Sequence, residues 1–226
     1  MNKSKKAEIR MQNFEETFRH GNVDVMKLTI KYPVVKLQNN PDAQAMINNQ
    51  IAIEVNEYHR HVSDFLYNQA VNDYREAQEN NYPFHGYEAY MEYVITYNDN
   101  CFLSYYYDKY EYTGGAHGMT LRSSNTFELC RGTMIPLYCF FKKGLNYRRK
   151  LIFEIIKQAD ERLKEEPGIF FDDYESLIIK NFDEDNYFLS PDGLSIYYQH
   201  YDIAPYSTGI VVFTIPYKTI GWYPSC

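Results

Sequence analysis

The sequence predicts an α+β fold in which antiparallel β-sheet is covered by two main helices. Residues 87–97 alternate between apolar and polar side chains, which is typical of a half-buried strand. From Ile47 onwards the apolar residues instead recur every three or four positions, which is typical of a helix packed on one face. A glycine-rich break at residues 114–118 separates two long alternating segments. We therefore expect one α+β unit built from two interlocked subdomains.

The composition limits the classes of partner. The chain has 226 residues and a net charge of -7, from 23 Lys and Arg against 30 Asp and Glu. Nucleic acids require a basic face, so we predict no nucleic-acid partner and find a basic partner the easier match. The 24 tyrosines suit half-buried strands, and they also suit surfaces that contact proteins or sugars.

Four cysteines are present, at Cys101, Cys130, Cys139 and Cys226. None forms a Cys-x-x-Cys pair, so the sequence predicts no metal and no cofactor. Cys101 and Cys130 would meet across neighbouring strands in an exported protein, and buried free thiols are the alternative. A disulfide between any of the four would favour export.

The N-terminus is basic but leads into Glu15, Glu16 and Arg19 rather than into an apolar run. We expect no signal peptide and no membrane span in this chain, and a frayed or helical lead-in over its first 22 residues. The protein is then intracellular, or an anchor has been removed.

The N-terminal half is predicted to contain a strand at residues 25–32 and a long helix. Asn40 and Pro41 form a helix start, and the helix is expected to reach Glu79. Its apolar stripe comprises Ile47, Ile51, Val55, Tyr58, Val62 and Phe65. We interpret His59 and His61 as surface residues of this helix.

An antiparallel meander should follow the long helix, with strands at residues 87–97, 101–112 and 119–130. A second main helix is predicted at residues 146–166, and a short helix with an acidic capping box at residues 172–179. The last strands are expected at residues 187–189, 194–200 and 209–215. The final strand is rich in β-branched residues, which favours a central position covered on both faces.

The glycine-rich stretch supplies the first candidate site, formed by Tyr112, Gly114, Gly115 and His117. The glycines would let a ligand approach, and histidine titrates near neutral pH. No nucleophile or orienting acid can be assigned to His117, so the alternative is that its ring bonds a backbone carbonyl and fixes the turn.

Two other segments are candidates. Exposed tyrosines around a rigid proline turn, at Tyr201, Asp202, Pro205 and Tyr206, would bind a protein or glycan, or would pack a corner of the fold. Residues 183–186 offer several carboxylates, which suit either calcium or a solvated acidic turn.

Three motifs in order carry a family resemblance: residues 112–118 (YTGGAHG), 135–137 (IPL) and 201–209 (YDIAPYSTG). The chain resembles the paired bacterial domains of unknown function found in the extracytoplasmic part of the anti-sigma factor RsiV and ahead of the deacetylase module of PdaC. The N-terminal family would cover about residues 25–115 and the C-terminal family about residues 130–218.

The resemblance implies a lead-in at residues 1–24, an N-terminal subdomain at 25–115 and a C-terminal subdomain at 116–226. In PdaC the hydrolytic chemistry belongs to a separate module, whose metal-binding motifs this chain lacks. In RsiV the paired domains resemble a receptor surface for lysozyme, although this chain lacks the sigma-binding segment and membrane helix of RsiV.

The sequence thus predicts a non-enzymatic binding or sensor module of the bacterial cell envelope, which recognises a lysozyme-like protein or a cell-wall glycan. One alternative is a hydrolase-type enzyme that uses His117 beside the glycine-rich turn. Another is a purely structural accessory domain. Neither the oligomeric state nor the localisation follows from the sequence.

Overall fold

The computed structural model describes residues 6–226 and confirms the α+β class. It divides into two compact units. The N-terminal unit comprises Glu8–Tyr93 and Tyr107–Leu121, and the C-terminal unit comprises Val94–Tyr106 and Arg122–Cys226 together with residues 6 and 7. The subdomain boundaries expected from the family resemblance remain a prediction.

Strand β1 (Glu8–His20) begins the N-terminal unit and pairs antiparallel with β2 (Val23–Lys36). The expected frayed or helical lead-in is therefore wrong for residues 8–20, and residues 1–5 lie outside the described part of the chain. Most β1 side chains are exposed or half-buried. The strand thus depends mainly on backbone pairing with β2, and it lacks the alternation that marks a strand in a sequence.

Strand β2 pairs in parallel with β3 (Tyr87–Asp99). The expectation of purely antiparallel pairing is therefore wrong for these two strands. Parallel neighbours need a long crossover, and a helix commonly provides it. Here the crossover is α1 (Pro41–Arg60), a π-helical segment (His61–Leu66) and α2 (Tyr67–Asn80). The predicted long helix is thus present, with an interruption.

The interruption changes which side chains the helix buries. Asn40 caps α1 as expected, since its side chain accepts a hydrogen bond from the Ala43 amide at 3.2 Å. Tyr58 and Val62 are buried as predicted, but Phe65 is 60% exposed and Leu66 is 3% exposed. A π-helical turn holds more residues than an α-helical turn, so it moves the buried position from 65 to 66.

The predicted meander is formed by β3, β4 (Phe102–Tyr112) and β5 (Met119–Glu128), followed by the short β6 (Thr133–Met134). The sheet order is β1-β2-β3-β4-β5-β6. Asn100 and Cys101 link β3 to β4 with φ angles of 47° and 68°. Two successive positive φ values are the mark of a type I′ hairpin turn. Each of β3, β4 and β5 contributes one part to each unit.

The helices of the C-terminal unit are α3 (Tyr147–Glu165), α4 (Tyr174–Lys180) and the short α5 (Tyr217–Ile220). The second main helix is therefore confirmed, and the Asn146 side chain caps it by accepting from the Arg149 amide at 3.1 Å. The expected capping box of α4 is not formed, because Asp173 makes no side-chain capping bond. The α3 residues buried in the core are Leu151, Ile155 and Ala159.

A second sheet contains β7 (Tyr187–Leu189), β8 (Gly193–Tyr198) and β9 (Val211–Pro216) in the order β7-β8-β9. All six β8 residues are buried, whereas burial alternates along β9. The prediction of a central final strand is therefore wrong. Strand β8 is the central strand of this sheet, because both β7 and β9 pair with it.

A disulfide joins Cys101 to Cys226, with a Cα–Cα distance of 5.2 Å. The expected pairing of Cys101 with Cys130 is therefore wrong, and so is the alternative in which all the thiols are free. Cys130 and Cys139 take no part in the disulfide. The chain terminus lies 125 residues beyond Cys101, so only the folded backbone brings Cys226 to it.

Candidate binding site

The glycine-rich turn lies in the N-terminal unit and holds four of the predicted site residues, Tyr112, Gly114, Gly115 and His117. Gly114 has a φ of 85°, the left-handed conformation expected there. His117 is exposed, and its Nδ1 lies 3.0 Å from the Gly118 carbonyl oxygen. This contact is the backbone bond that the structural interpretation of His117 anticipated.

A cavity of about 230 Å³ lies beside this turn, and Thr113 and Gly114 form part of its wall. Its histidine is His85 rather than His117. Tyr87 donates a hydrogen bond to Asp73 in the same cavity. Burial, followed by this bond to Asp73, raises the pKa of Tyr87 above its ordinary value. The hydrolase hypothesis stays a prediction. It depends on His117, which does not line this cavity.

The proline turn lies in the C-terminal unit. Ile203 and Ala204 are buried, whereas Tyr201 is about half exposed. The rings of Tyr201 and Tyr206 lie 5.9 Å apart. The turn therefore combines a packed corner with one exposed ring, Tyr201, beside the half-buried Tyr206, and its role in binding stays a prediction.

Both the side chain and the backbone carbonyl of Asp202 accept hydrogen bonds within that turn. Its carboxylate accepts from the Gln199 amide at 2.7 Å, and its carbonyl accepts from Asn181 at 2.6 Å. Burial raises the pKa of the Asp202 carboxyl above its ordinary value. These bonds fix the backbone that presents Tyr201.

The acidic segment at residues 183–186 is bonded within the protein. The Asp183 carboxylate accepts from the Asp185 amide at 2.9 Å, and the Glu184 carboxylate accepts from the Tyr147 hydroxyl at 2.7 Å. Among residues 6–226 no group of three or more His, Cys, Asp or Glu side chains is placed to hold a metal ion.

A further feature, which was not predicted from the sequence, is a cavity that we call the acidic groove. It has a volume of about 340 Å³ and lies in the N-terminal unit, where α1, the π-helical segment, β4 and the start of β5 contribute to its wall. Three carboxylates and one lysine line it. Its lining residues are Glu54, Glu57, Tyr58, His61, Tyr107, Lys109, Glu111, Met119 and Leu121.

Buried hydrogen bonds position the polar wall of the acidic groove. Glu54 is only 6% exposed, and its carboxylate accepts from the Tyr93 hydroxyl at 2.8 Å and from the Gln50 amide at 3.0 Å. His61 Nε2 lies 3.1 Å from the Glu111 carboxylate. A polar group this deeply buried needs such partners, so the bonds to Glu54 fix its orientation.

The acidic groove is also lined by aromatic and aliphatic side chains. The Tyr107 ring stacks on Tyr93 with centroids 4.8 Å apart, while Met119 and Leu121 leave 44% and 49% of their surface exposed. The Tyr58 hydroxyl donates to the Tyr110 carbonyl at 3.2 Å, and burial raises the pKa of Tyr58 above its ordinary value. Carboxylates and apolar surface in the lining of one cavity suit a cationic group carried on an apolar stem.

One signal for the acidic groove was present in the sequence. Glu54 lies between Ile51 and Tyr58 on the apolar stripe of α1, where a charged residue is out of place. The remaining groove residues come from separate helices and strands, and they come together only in the folded chain. His61, which we interpreted as a surface residue, is indeed exposed and lines the groove.

Two known protein families match successive parts of the chain. The family described as "Deacetylase PdaC" matches residues 20–120, and "Protein of unknown function (DUF3298)" matches residues 140–218. The chain is therefore similar to the PdaC and DUF3298 domains, which match it one after the other. This confirms the suspected resemblance to the paired domains.

One relative is similar to the chain in sequence. The peptidoglycan-N-acetylmuramic acid deacetylase PdaC of Bacillus subtilis (strain 168) is 22% identical over 215 residues, which are 90% of this chain and 42% of that protein. This chain therefore spans less than half the length of that relative.

Two crystal structures of DUF3298-family proteins are similar to the chain. The one from Bacteroides fragilis has a TM-score of 0.74 at 21% identity, and the alignment covers 97% of this chain and 94% of the other. The one from Pseudomonas aeruginosa has a TM-score of 0.64 at 16% identity, with 96% and 94% covered. At these identities the likeness shows the fold alone.

Among residues 6–226, no helix is both long enough and apolar enough to cross a bilayer.

Proposed function

We propose that these paired domains form a non-enzymatic binding module of the bacterial cell envelope, and that the acidic groove receives cationic side chains of a protein partner. The observation that carries this proposal is the groove itself, whose lining combines three carboxylates with exposed Met119 and Leu121. Lysine and arginine side chains combine an apolar stem with a charged end, so they match both parts of this lining. The net charge of -7 would attract a basic protein from a distance.

The disulfide supports an envelope location. Disulfides persist in oxidising compartments and are rare in reducing ones. The Cys101–Cys226 bond is therefore what a protein exposed outside the cytoplasm would use. The family resemblance to RsiV adds a lysozyme-like hydrolase as the first partner to test, because such enzymes are basic.

Calorimetric titration with hen lysozyme tests the proposal. We expect saturable binding that weakens as salt rises, because an electrostatic interface is screened. Glu57→Gln should weaken binding by about twofold to fivefold, as expected for a partly solvated charge pair. Glu79→Gln is the matched control, since Glu79 is also an exposed glutamate of the N-terminal unit but does not line the groove.

Two results would count against the proposal. Lysozyme binding that Glu57→Gln and Glu79→Gln affect equally would place the contact elsewhere. No heat with lysozyme, but saturable heat with neutral glycan fragments, would replace the protein partner with a cell-wall glycan.

A further inference from the structure

The C-terminal unit contains a cavity of about 520 Å³, which we call the basic pocket. Lys142, Lys150 and Lys218 line it together with Phe141 and Trp222. No carboxylate side chain belongs to the lining that the described residues form. Three clustered lysines are unexpected in a chain of net charge -7, and they favour an anionic ligand at this place.

Fixed contacts build the wall of the basic pocket. The Lys150 ammonium donates to the Thr219 carbonyl at 2.5 Å, which holds this cation in place. The Trp222 ring packs edge-on against the buried Phe140, with centroids 4.6 Å apart. One charge and an aromatic wall are thus in position before any ligand arrives.

Exposed and largely apolar side chains border the basic pocket, and we call Tyr138, Leu145 and Tyr223 its rim. Leu145 lines the pocket and leaves 44% of its surface exposed. Its amide donates to the Lys142 carbonyl at 3.1 Å, and a turn of this kind brings the two residues close together. Tyr138 and Tyr223 are 57% and 60% exposed, and each is the chain neighbour of a residue that lines the pocket.

We propose that this face of the C-terminal unit binds the surface of an anionic phospholipid bilayer, and that the basic pocket holds the phosphate of a lipid headgroup. Lysine ammonium groups pair with phosphate oxygens, while exposed leucine and aromatic side chains enter the boundary between headgroups and acyl chains. The rim favours a lipid over free phosphate, because a phosphate ion has no apolar part. Access to a bilayer rests on the envelope location proposed above, whereas the pocket and its rim do not involve the acidic groove.

The overall negative charge of the chain is compatible with this binding. At an ionic strength of 0.1 M, charges in water are screened over about 10 Å. A lipid surface therefore interacts mainly with the charged side chains that lie close to it, and the charged side chains of the described lining are all lysines. Each lysine held near an anionic leaflet strengthens the binding by about fivefold.

Cosedimentation of the whole chain with lipid vesicles tests the proposal. One set of vesicles contains equal parts of phosphatidylglycerol and phosphatidylcholine, and the other contains phosphatidylcholine alone. We expect binding to the anionic vesicles to be at least about tenfold tighter, with a difference that shrinks at high salt. Inorganic phosphate at the concentration of the lipid phosphate should not displace the chain, because the ion makes no contact with the rim.

A double variant assigns the binding to the basic pocket. Lys142→Gln combined with Lys218→Gln should weaken binding to the anionic vesicles by about tenfold or more. Both lysines are exposed, so folding should be unaffected. The matched control combines Lys157→Gln with Lys164→Gln, which are exposed lysines of α3 outside the pocket.

A second pair of variants tests the rim. Leu145→Ser should weaken binding to the anionic vesicles by about threefold to tenfold, because it removes an apolar side chain from the lipid boundary. Ile179→Ser is the control, since Ile179 is an exposed apolar residue of α4 that does not line the pocket.

Three results would overturn the proposal. Equal binding to the two kinds of vesicle would show that the anionic headgroup is not recognised. An equal loss in the two double variants would place the contact elsewhere. Displacement by inorganic phosphate, or unchanged vesicle binding of Leu145→Ser, would leave a site for the free ion only. These measurements use neither lysozyme nor a residue of the acidic groove, so failure of one proposal is distinguishable from failure of the other.

Discussion

Gly193 illustrates how a single residue constrains the second sheet. A Cβ atom at this position would lie 2.7 Å from the Ile215 carbonyl carbon and 3.0 Å from the Pro216 Cα, both in the backbone of β9. Backbone atoms held in a sheet cannot move aside as a flexible side chain can. Gly193 therefore permits the close approach of β8 and β9.

We expect Gly193→Ala to lower the free energy of unfolding by about 1–3 kcal/mol, the usual cost of overpacking. Urea unfolding followed by circular dichroism measures it. Gly115→Ala is the control, because the nearest neighbouring atom to a Cβ at Gly115 is 4.0 Å away. Equal midpoints for the two variants would show that β9 moves aside without cost.

At the scale of the element, the π-helical segment decides which side of the long helix faces the sheet. The sequence stripe pointed to Phe65, and the extra residue in the π-helical turn places Leu66 inward instead. Phe65 is left exposed, where it stacks on His61 with centroids 5.5 Å apart. The interruption thus places an exposed aromatic ring beside a residue of the acidic groove.

A pair of neighbouring variants tests this helical register. Leu66→Ala should cost about 2–5 kcal/mol of unfolding free energy, because it leaves a cavity in the core. Phe65→Ala should cost about 0.5 kcal/mol or less, as is usual for an exposed position. Both values come from denaturant unfolding. The reverse order of stabilities would mean that the helix continues without the interruption.

At the scale of the whole molecule, two features stand out: the disulfide and the distribution of charged side chains between the units. The disulfide closes a sequence separation of 125 residues, and cross-links over long separations restrict the unfolded chain most. Charge is also divided unevenly. The acidic groove lies in the N-terminal unit, whereas Lys142, Lys150 and Lys218 line a cavity of the C-terminal unit.

Reduction of the disulfide should lower the unfolding free energy by about 2–4 kcal/mol. Thermal unfolding with and without dithiothreitol measures the change. Cys139→Ser, at an exposed position outside the disulfide, should respond as the unaltered protein does. A chain with both Cys101→Ala and Cys226→Ala should not respond to the reductant. A response in that chain would assign the effect to another thiol.

The sequence by itself determined the features that depend on neighbours along the chain. The cap at Asn40, the apolar stripe of α3 and the alternation from Tyr87 to Tyr93 are local patterns, and each predicted its element correctly. The motif at residues 112–118 helped to identify the paired domains, because its residues are consecutive. Net charge, being a sum over residues, needed no structure.

The tertiary structure decided what depends on distant residues. The partner of Cys101, the parallel pairing of β2 with β3 and the central place of β8 are choices among segments far apart in the chain. The acidic groove combines Glu54 with Glu111, and a cavity of the C-terminal unit combines Lys142 with Lys218. Periodicity reports which face of an element is buried but not what packs against it, so neither cavity could be read from the sequence.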